Sequence, residues 1–486
     1  MDPALRLVSR PGGAAVRPPS RGIQRAARAR GSGRVRFLRS PGGASAALCL
    51  QRHGTVPGET QPVHDPGRGA NARRRSQERP GGSRGSFGHG LLEDVPPAGG
   101  NPGRSPRPGP VYRLVLLDPD QVREALAAGA VVKILITRTD RLGDLVLALP
   151  VVDLLHRIRP DWALHLLIAP GLEAVTAAQQ GIAGVHTWRD DWPQDKLQSL
   201  VAALAAERFD AVLMLQYRRE LALMLRRAGI GPLWGPRSRI SSWFLLRHGR
   251  RQGRSRSGRH EMDLNLELGC ALAGLSGQET PRAMADVRHP RLQLDPAQAA
   301  WGRNWRDEEA AGAERVAFIH PGSGGSALDW GPERFAAVAN QLSSRKGTRV
   351  FMTGAAADAH LVRAAAEHLD RKVGVLLERF TLGQFMSVLA AGDLLVAPST
   401  GPLHLAAALG AATIGLFPPA PVMSSLRWGQ RGPLAVQVSP EVVCPQKRVC
   451  VREKCPLFNC LEQISPAAVA ERAASLLDEL DREPRT

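Results

Sequence analysis

VVKILITRTDRLGDLVLALPVVDLLHRIRP, residues 131–160, decides how the rest of the chain reads. Val132 to Thr137 is a short run rich in β-branched residues and leucine, apolar at consecutive positions. That is how a strand of a parallel sheet covered on both faces reads. Arg138 to Asp144 breaks the pattern with a polar loop, and Leu145, Leu149, Val152 and Leu155 resume it at helical spacing. Strand, polar loop and helix make the first half of a βαβ unit, and ligands of such sheets sit in the loop after the strand's carboxyl end. Arg138, Asp140, Arg141 and Asp144 occupy that loop, where Gly143 lets the backbone turn or approach a ligand closely. From spacing alone, Asp144 reads first as a helix cap satisfying free N–H groups.

Working outward, the same alternation continues. Trp162 to Ala169, Gly184 to Trp188 and Asp210 to Gln216 read as further strands. Gly171 to Gln180, Leu197 to Glu207 and Leu221 to Ala228 read as helices, with a turn-rich stretch after the last. A doubly wound parallel sheet follows. Residues 241–260, SSWFLLRHGRRQGRSRSGRH, depart from this regularity: an aromatic and apolar patch stands beside Arg247, Arg250, Arg251, Arg254, Arg256 and Arg259. Such a patch can dock on an anionic membrane, clamp the phosphates of an anionic substrate, or remain a solvated loop. An amphipathic helix is expected over Glu261 to Leu275.

A second α/β series begins at Arg315. The strand Arg315 to His320 runs into PGSGGS (321–326), whose backbone N–H groups can cradle phosphate ahead of a helix starting near Pro332. Neither a GxGxxG fingerprint nor a GK[ST] loop occurs. After the strand Arg349 to Thr353, Asp358 lies where a carboxylate can reach ribose hydroxyls, or can cap its own helix. After the strand Leu394 to Val396, Ser399, Thr400 and Gly401 turn into a helix with His404 in its first turn. Hydroxyls, free N–H groups and an imidazole thus surround one anion-sized space.

The amino-terminal part differs in kind. Residues 1–110 hold 19 Arg, no Lys and 6 acidic residues, and so carry 13 of the chain's 19 net positive charges. Gly, Pro, Arg, Ala and Ser dominate, and residues 1–130 are expected to be a disordered basic segment. Two readings stand: an Arg-rich arm for nucleic acid or an anionic membrane, or translated GC-rich upstream sequence with a mis-assigned start. No signal peptide and no 18-residue apolar run is evident, and a cytoplasmic location is expected. Cys444, Cys450, Cys455 and Cys460 lie within 17 residues; reduced thiols, disulfides or a structural zinc site remain open, although the spacing lacks CxxC knuckles.

Three motifs, RTDRLGD (138–144), HPGSGG (320–325) and STGPLHLAAALG (399–410), set in two α/β halves, together resemble glycosyltransferase family nine, the ADP-heptose:lipopolysaccharide heptosyltransferase family. The resemblance covers about residues 131–477. It implies a GT-B architecture: two Rossmann-like, doubly wound domains facing a cleft, the acceptor domain at 131–310 and the nucleotide-sugar domain at 311–486. It also implies that Asp144 is the general base, that Ser323, Gly324, Ser399, Thr400, Gly401 and His404 lie near the donor diphosphate, and that Asp358 holds ribose. A helix N-terminus would lower the pKa of such an aspartate. Arg138, Arg141, Arg247, Arg250 and Arg251 are the expected acceptor contacts.

Departures from the family pattern lie near the donor. Leu328 stands where a lysine is usual, with Arg427 or Arg334 as candidate replacements, and Ser399 stands where an aspartate is usual. The closing helix, Pro466 to Leu480, should pack across the domain interface. The expected activity is metal-independent inverting transfer of a sugar, heptose from ADP-heptose first, to a lipopolysaccharide core or related glycolipid. No cofactor, a monomer and peripheral contact with the inner membrane surface are expected. The rival readings are another nucleotide-sugar donor, a nucleic-acid-binding protein acting through the arm, and a pseudoenzyme.

Overall fold

The computed structural model describes residues 35–39, 131–254, 258–325, 327–446 and 450–482. The first strand, β1 (Val35–Arg39), is followed after residue 130 by β2 (Val132–Arg138), α1 (Leu142–Val146), α2 (Pro150–Ile158), β3 (Trp162–Ile168), β4 (Gly184–Thr187), α3 (Gln194–Glu207) and β5 (Ala211–Met214). Next come β6 (Leu233–Pro236), α4 (Ile240–Leu245), β7 (His248–Arg250) and α5 (Glu261–Leu272). The second series is β8 (Arg315–Ile319), α6 (Pro332–Ser343), β9 (Thr348–Gly354), β10 (Gly374–Leu377), β11 (Leu394–Pro398), α7 (Gly401–Ala408), β12 (Ala412–Leu416), β13 (Ala435–Pro440) and α8 (Pro466–Arg482).

These strands form two sheets. The first has the order β4-β3-β2-β5-β6-β7 and is parallel throughout. In β2, Ile134 and Ile136 join one apolar cluster and Leu135 another, so both faces are covered. Fully burying such a side chain contributes about 1.5–3 kcal/mol, which is why the run carries no polar alternation. The second sheet has the order β1-β13-β12-β11-β8-β9-β10. In each sheet the strand order reverses once, between β2 and β5 and between β8 and β11. Loops diverge at such a reversal and leave a crevice at the carboxyl ends of the strands. The three motifs of the sequence occupy the loops after β2, β8 and β11.

Several expectations change. The turn-rich stretch after residue 228 contains β6, and the Arg-rich segment contains α4 and β7, so this region extends the first sheet. The strands are too short to show a period. Pro150 restarts the opening helix, because it has no N–H to continue the first. Helix α8 does not cross between the halves: Val469, Ala473, Leu476 and Leu477 are buried with Trp330 and Phe335 in the second half's own cluster, and Arg345 pairs with Asp478. Within the segment expected to lack order, Val35–Arg39 pair antiparallel with β13, where an edge strand offers free N–H and C=O groups. The remaining residues of 1–130, and with them the arm's proposed nucleic-acid contact, lie outside the described residues.

Candidate active site

The two halves meet where two helix N-termini cross. A Cβ added at Gly143 in α1 would stand 2.9 Å from Cδ2 of His404 in α7, and one added at Gly401 would stand 2.9 Å from Cβ of Leu142. The two glycines let the helices touch at their first turns, and the touch brings the motif loops onto one cleft of about 950 Å³. Asp144, Ser323, Gly324, Asp358, Ser399, Thr400, Gly401 and His404 all line it, as does Arg141. Every expected catalytic and donor-side residue therefore reaches a common space.

Asp144 is not a helix cap. The residue preceding α1 is Arg141, no side chain caps the helix, and the Asp144 carboxylate is held by the guanidinium of Arg138. Arg138 is only 2 % exposed, and it also donates to Asp140 at 2.8 Å and Glu261 at 3.1 Å. Burial would lower its pKa, but the three carboxylates outweigh burial and raise it. Arg138 is therefore a fixed cation behind Asp144 and not the acceptor contact expected of it: its charge is already met and its surface is covered. Glu261, 2 % exposed, binds Arg254 as well and lies 3.7 Å from Arg427. Burial pushes Glu261 up, yet Arg254, Arg138 and Arg427 together hold it below the ordinary carboxylate range.

The pKa of Asp144 moves against expectation. Burial raises it to about 6, and the opposing pull of Arg138 is only partial because Asp140 and Glu261 repel the charge. Desolvation beats the helix N-terminus here, since the field of α1 is one turn deep while the carboxylate has lost most of its water. A carboxylate poised near 6 is a better proton acceptor at neutral pH than an ordinary aspartate.

The opposite wall works differently. Thr400 precedes α7 in an extended conformation and makes no side-chain cap; it lines the cleft beside Gly401, whose N–H is a free donor of the first turn, where Pro402 has none. His404 is buried and neutral, its pKa lowered to about 3 by burial and by nearby His260, and its Nδ1 has no partner. His320, also lowered by burial, to about 4, shares a hydrogen bond with the Thr353 hydroxyl at 3.0 Å. Asp358 does not cap its helix either: it accepts from the backbone N–H of Gly324 at 2.9 Å and fixes the phosphate-type loop. Gly322 is required for this, since a Cβ there would fall 2.2 Å from the Asp358 carboxyl carbon.

Other expected residues fall elsewhere. Arg247, Arg250 and Arg251 are exposed and do not line the cleft, because β7 is the far edge of the first sheet. Leu328 is buried beside Trp330, and Arg334 is paired with Glu462 at 3.0 Å, so neither presents itself to a phosphate. Arg427 stacks on Trp428, which does line the cleft. Arg141 makes no ion pair among the described residues. The four late thiols are free and border a void of about 20 Å³, but no three of their sulfur atoms lie within 4.8 Å of one another. Sequence reasoning missed Glu261, Arg254 and Arg427 as supports of Asp144. The signal was a single acid, Glu261, ending the Arg-rich run. No described helix is long and apolar enough to cross a membrane.

Residues 197–457, more than half of the chain, match the model of glycosyltransferase family 9 (heptosyltransferase). The chain belongs to glycosyltransferase family 9. It is 27 % identical over 305 residues to a Haemophilus influenzae protein named "Putative glycosyltransferase", a match covering 61 % of this chain and 85 % of that one. Among solved structures it is similar to a family 9 glycosyltransferase of Veillonella parvula, with TM-score 0.61 and 18 % identity, covering 71 % of this chain and 97 % of the other. It is also similar to the ADP-heptose LPS heptosyltransferase II of E. coli, with TM-score 0.56 and 20 % identity, covering 72 % and 99 %. This family 9 chain is a glycosyltransferase of two Rossmann-like domains in the GT-B arrangement.

Proposed function

We propose that the enzyme is an inverting transferase that moves heptose from ADP-heptose onto a hydroxyl of a lipopolysaccharide core or related anionic glycolipid. The observation that carries the reading is the placement of Asp144, with its pKa near 6, across one cleft from the N-terminus of α7. In the proposed step the Asp144 carboxylate takes the proton of the acceptor hydroxyl as that oxygen bonds to the anomeric carbon. The bond from that carbon to the diphosphate oxygen breaks on the opposite side, and the nucleoside diphosphate leaves with the electron pair. Its charge meets the N–H of Gly401, the Thr400 hydroxyl and the Gly324 loop. Arg141, unpaired and exposed at the cleft, supplies the cation that Leu328 does not. Phe380 and Phe385, lining the same cleft, offer apolar surface to a nucleobase.

The acceptor half carries a surface suited to lipid. Ile240, Trp243 and Phe244 in α4 are 82 %, 49 % and 75 % exposed, beside Arg247, Arg250 and Arg251. Apolar anchors flanked by guanidinium groups fit an anionic bilayer, with about 1 kcal/mol from each basic residue near the surface. The protein would then work as a monomer at the cytoplasmic face of the inner membrane.

A thermal-shift and transfer assay with the full chain tests the donor. ADP-heptose at 100 times its dissociation constant should stabilise the fold by about 2.7 kcal/mol, with no comparable rise from UDP or GDP sugars. Stabilisation by another nucleotide sugar keeps the transferase and removes the heptose; no response to any donor refutes the site.

A further inference from the structure

A cluster of His165, His186 and Glu207 lies on the first sheet, and none of the three lines the catalytic cleft. His165 on β3 pairs in register with Gly184 on β4, and His186 stands two residues further along β4, so both imidazoles share one face of the sheet. The rings are stacked, with centroids 5.8 Å apart and planes inclined by 15°, and Phe209 meets both edge-on. Glu207 ends α3 directly above them. One ring nitrogen from each histidine and one carboxylate oxygen all lie within 4.8 Å of one another.

Two features point beyond simple packing. His165 is 7 % exposed, and its Nδ1, like Nε2 of His186, is buried without a hydrogen-bond partner. A buried polar atom left unpaired is destabilising, so two such atoms on the neighbouring strands β3 and β4 call for a partner. Gly184 is also what the arrangement requires: a Cβ there would fall 2.4 Å from Nδ1 of His165.

We propose that His165, His186 and Glu207 bind a divalent transition-metal cation, which ties the edge strand β4 to the end of α3. Two imidazoles and a carboxylate with open positions form a donor set typical of zinc and of ferrous iron. Ligand atoms about 2.0–2.2 Å from such an ion stand roughly 3–3.5 Å apart, a contraction that side-chain torsions can supply. Lys133 is the competing group, since its ammonium donates to Glu207 at 2.8 Å. The ion and Lys133 therefore contend for one carboxylate.

The test is titration of the chelator-stripped, reduced full chain with Zn²⁺ and with Co²⁺. Cobalt separates this site from the cysteines, because thiolate ligands give an intense charge-transfer band that imidazole and carboxylate do not. The expected result is one site without thiolate character. His186→Gln and Glu207→Gln should each weaken it by more than about tenfold, the lower end of the loss seen when only a supporting group is removed. Lys133→Met should tighten it. Circular dichroism confirms that each variant is folded, and Glu207→Gln, at a helix end, keeps the test open if His186→Gln is not. Absence of any thiolate-free site, or unchanged affinity in the folded variants, overturns the proposal.

Discussion

The two walls of the cleft handle charge by opposite means. On the side of Asp144, charge is carried by side chains: Arg138 and Arg254, with Arg427 reaching across from the second half, surround Glu261, and Arg138 in turn grips Asp140 and Asp144. On the donor side, the backbone does most of the work, through the first turn of α7 and the glycine loop held by Asp358. Under the proposed transfer, the difference follows from what each wall must do. A general base needs a tuned pKa, which burial of Asp144 sets against the fixed charges of Arg138, Asp140 and Glu261. A departing diphosphate needs donors that are already oriented, and main-chain N–H groups require no ordering of long side chains.

The largest expected effect breaks the acceptor wall at its tip. Asp144→Asn should lower kcat by about 10²–10⁴ while leaving donor affinity, read by thermal shift, unchanged; loss of both together would assign Asp144 to binding. Next, Glu261→Leu leaves three guanidinium groups facing an apolar side chain. It should cost about 3–5 kcal/mol of stability, the usual result of removing one partner from a buried ion pair, visible as a lowered Tm. If the variant melts like the native protein, the network is not what fixes Arg138.

The seam between the walls is tested by Gly401→Val. The added atoms meet Leu142 and should cost about 1–3 kcal/mol as an overpacked contact, with KM for the donor rising as α7 shifts. The donor wall alone is probed by Thr400→Val. It should raise the donor KM by roughly ten- to a hundredfold and leave kcat nearly intact, in keeping with the about 1.5–3 kcal/mol of a hydrogen bond to a charged group. A loss confined to kcat would move Thr400 into the transition state.

A pH profile sharpens the same contrast. Because the pKa of Asp144 is raised from 3.8 to about 6, kcat/KM should fall tenfold per unit below pH 6 and level off above it. Stability runs the other way. The folded site binds the proton more tightly than the unfolded chain, so the contribution of Asp144 to stability is present below pH 4 and is lost as pH rises through 6. His404 should add no limb above pH 5, since burial keeps its imidazole neutral there. A plateau extending unchanged down to pH 4 would show that Asp144 is not the titrating base.

Much of the site was legible in the chain. The strand Val132–Arg138 and the loops after it, after β8 and after β11 could be read because covered parallel strands are apolar runs and because glycine, hydroxyl and helix start coincide only in a few kinds of loop. Thr400 could be named from its loop, Asp358 from the loop after β9, and Asp144 from its loop together with the family resemblance. Their partners could not. Arg138 looked like a surface arginine facing a substrate, and its burial under Glu261 depends on α5 arriving from 123 residues away. Short strands such as β6 and β7 carry too few residues to display a period.

The sequence by itself determined the two α/β halves, the motif loops and the residues at their tips, because those depend on local pattern and on backbone preferences a few residues wide. Only the tertiary structure decided which charges surround Asp144, and hence that burial lifts its pKa where a helix N-terminus alone would depress it. It also decided that Gly143 and Gly401 let two helix N-termini touch between the halves, and that His165, His186 and Glu207 share one face. Each of these rests on distances between segments far apart in the chain, and electrostatic and packing energies depend on such distances and on exclusion of water, neither of which is written in any single stretch of residues.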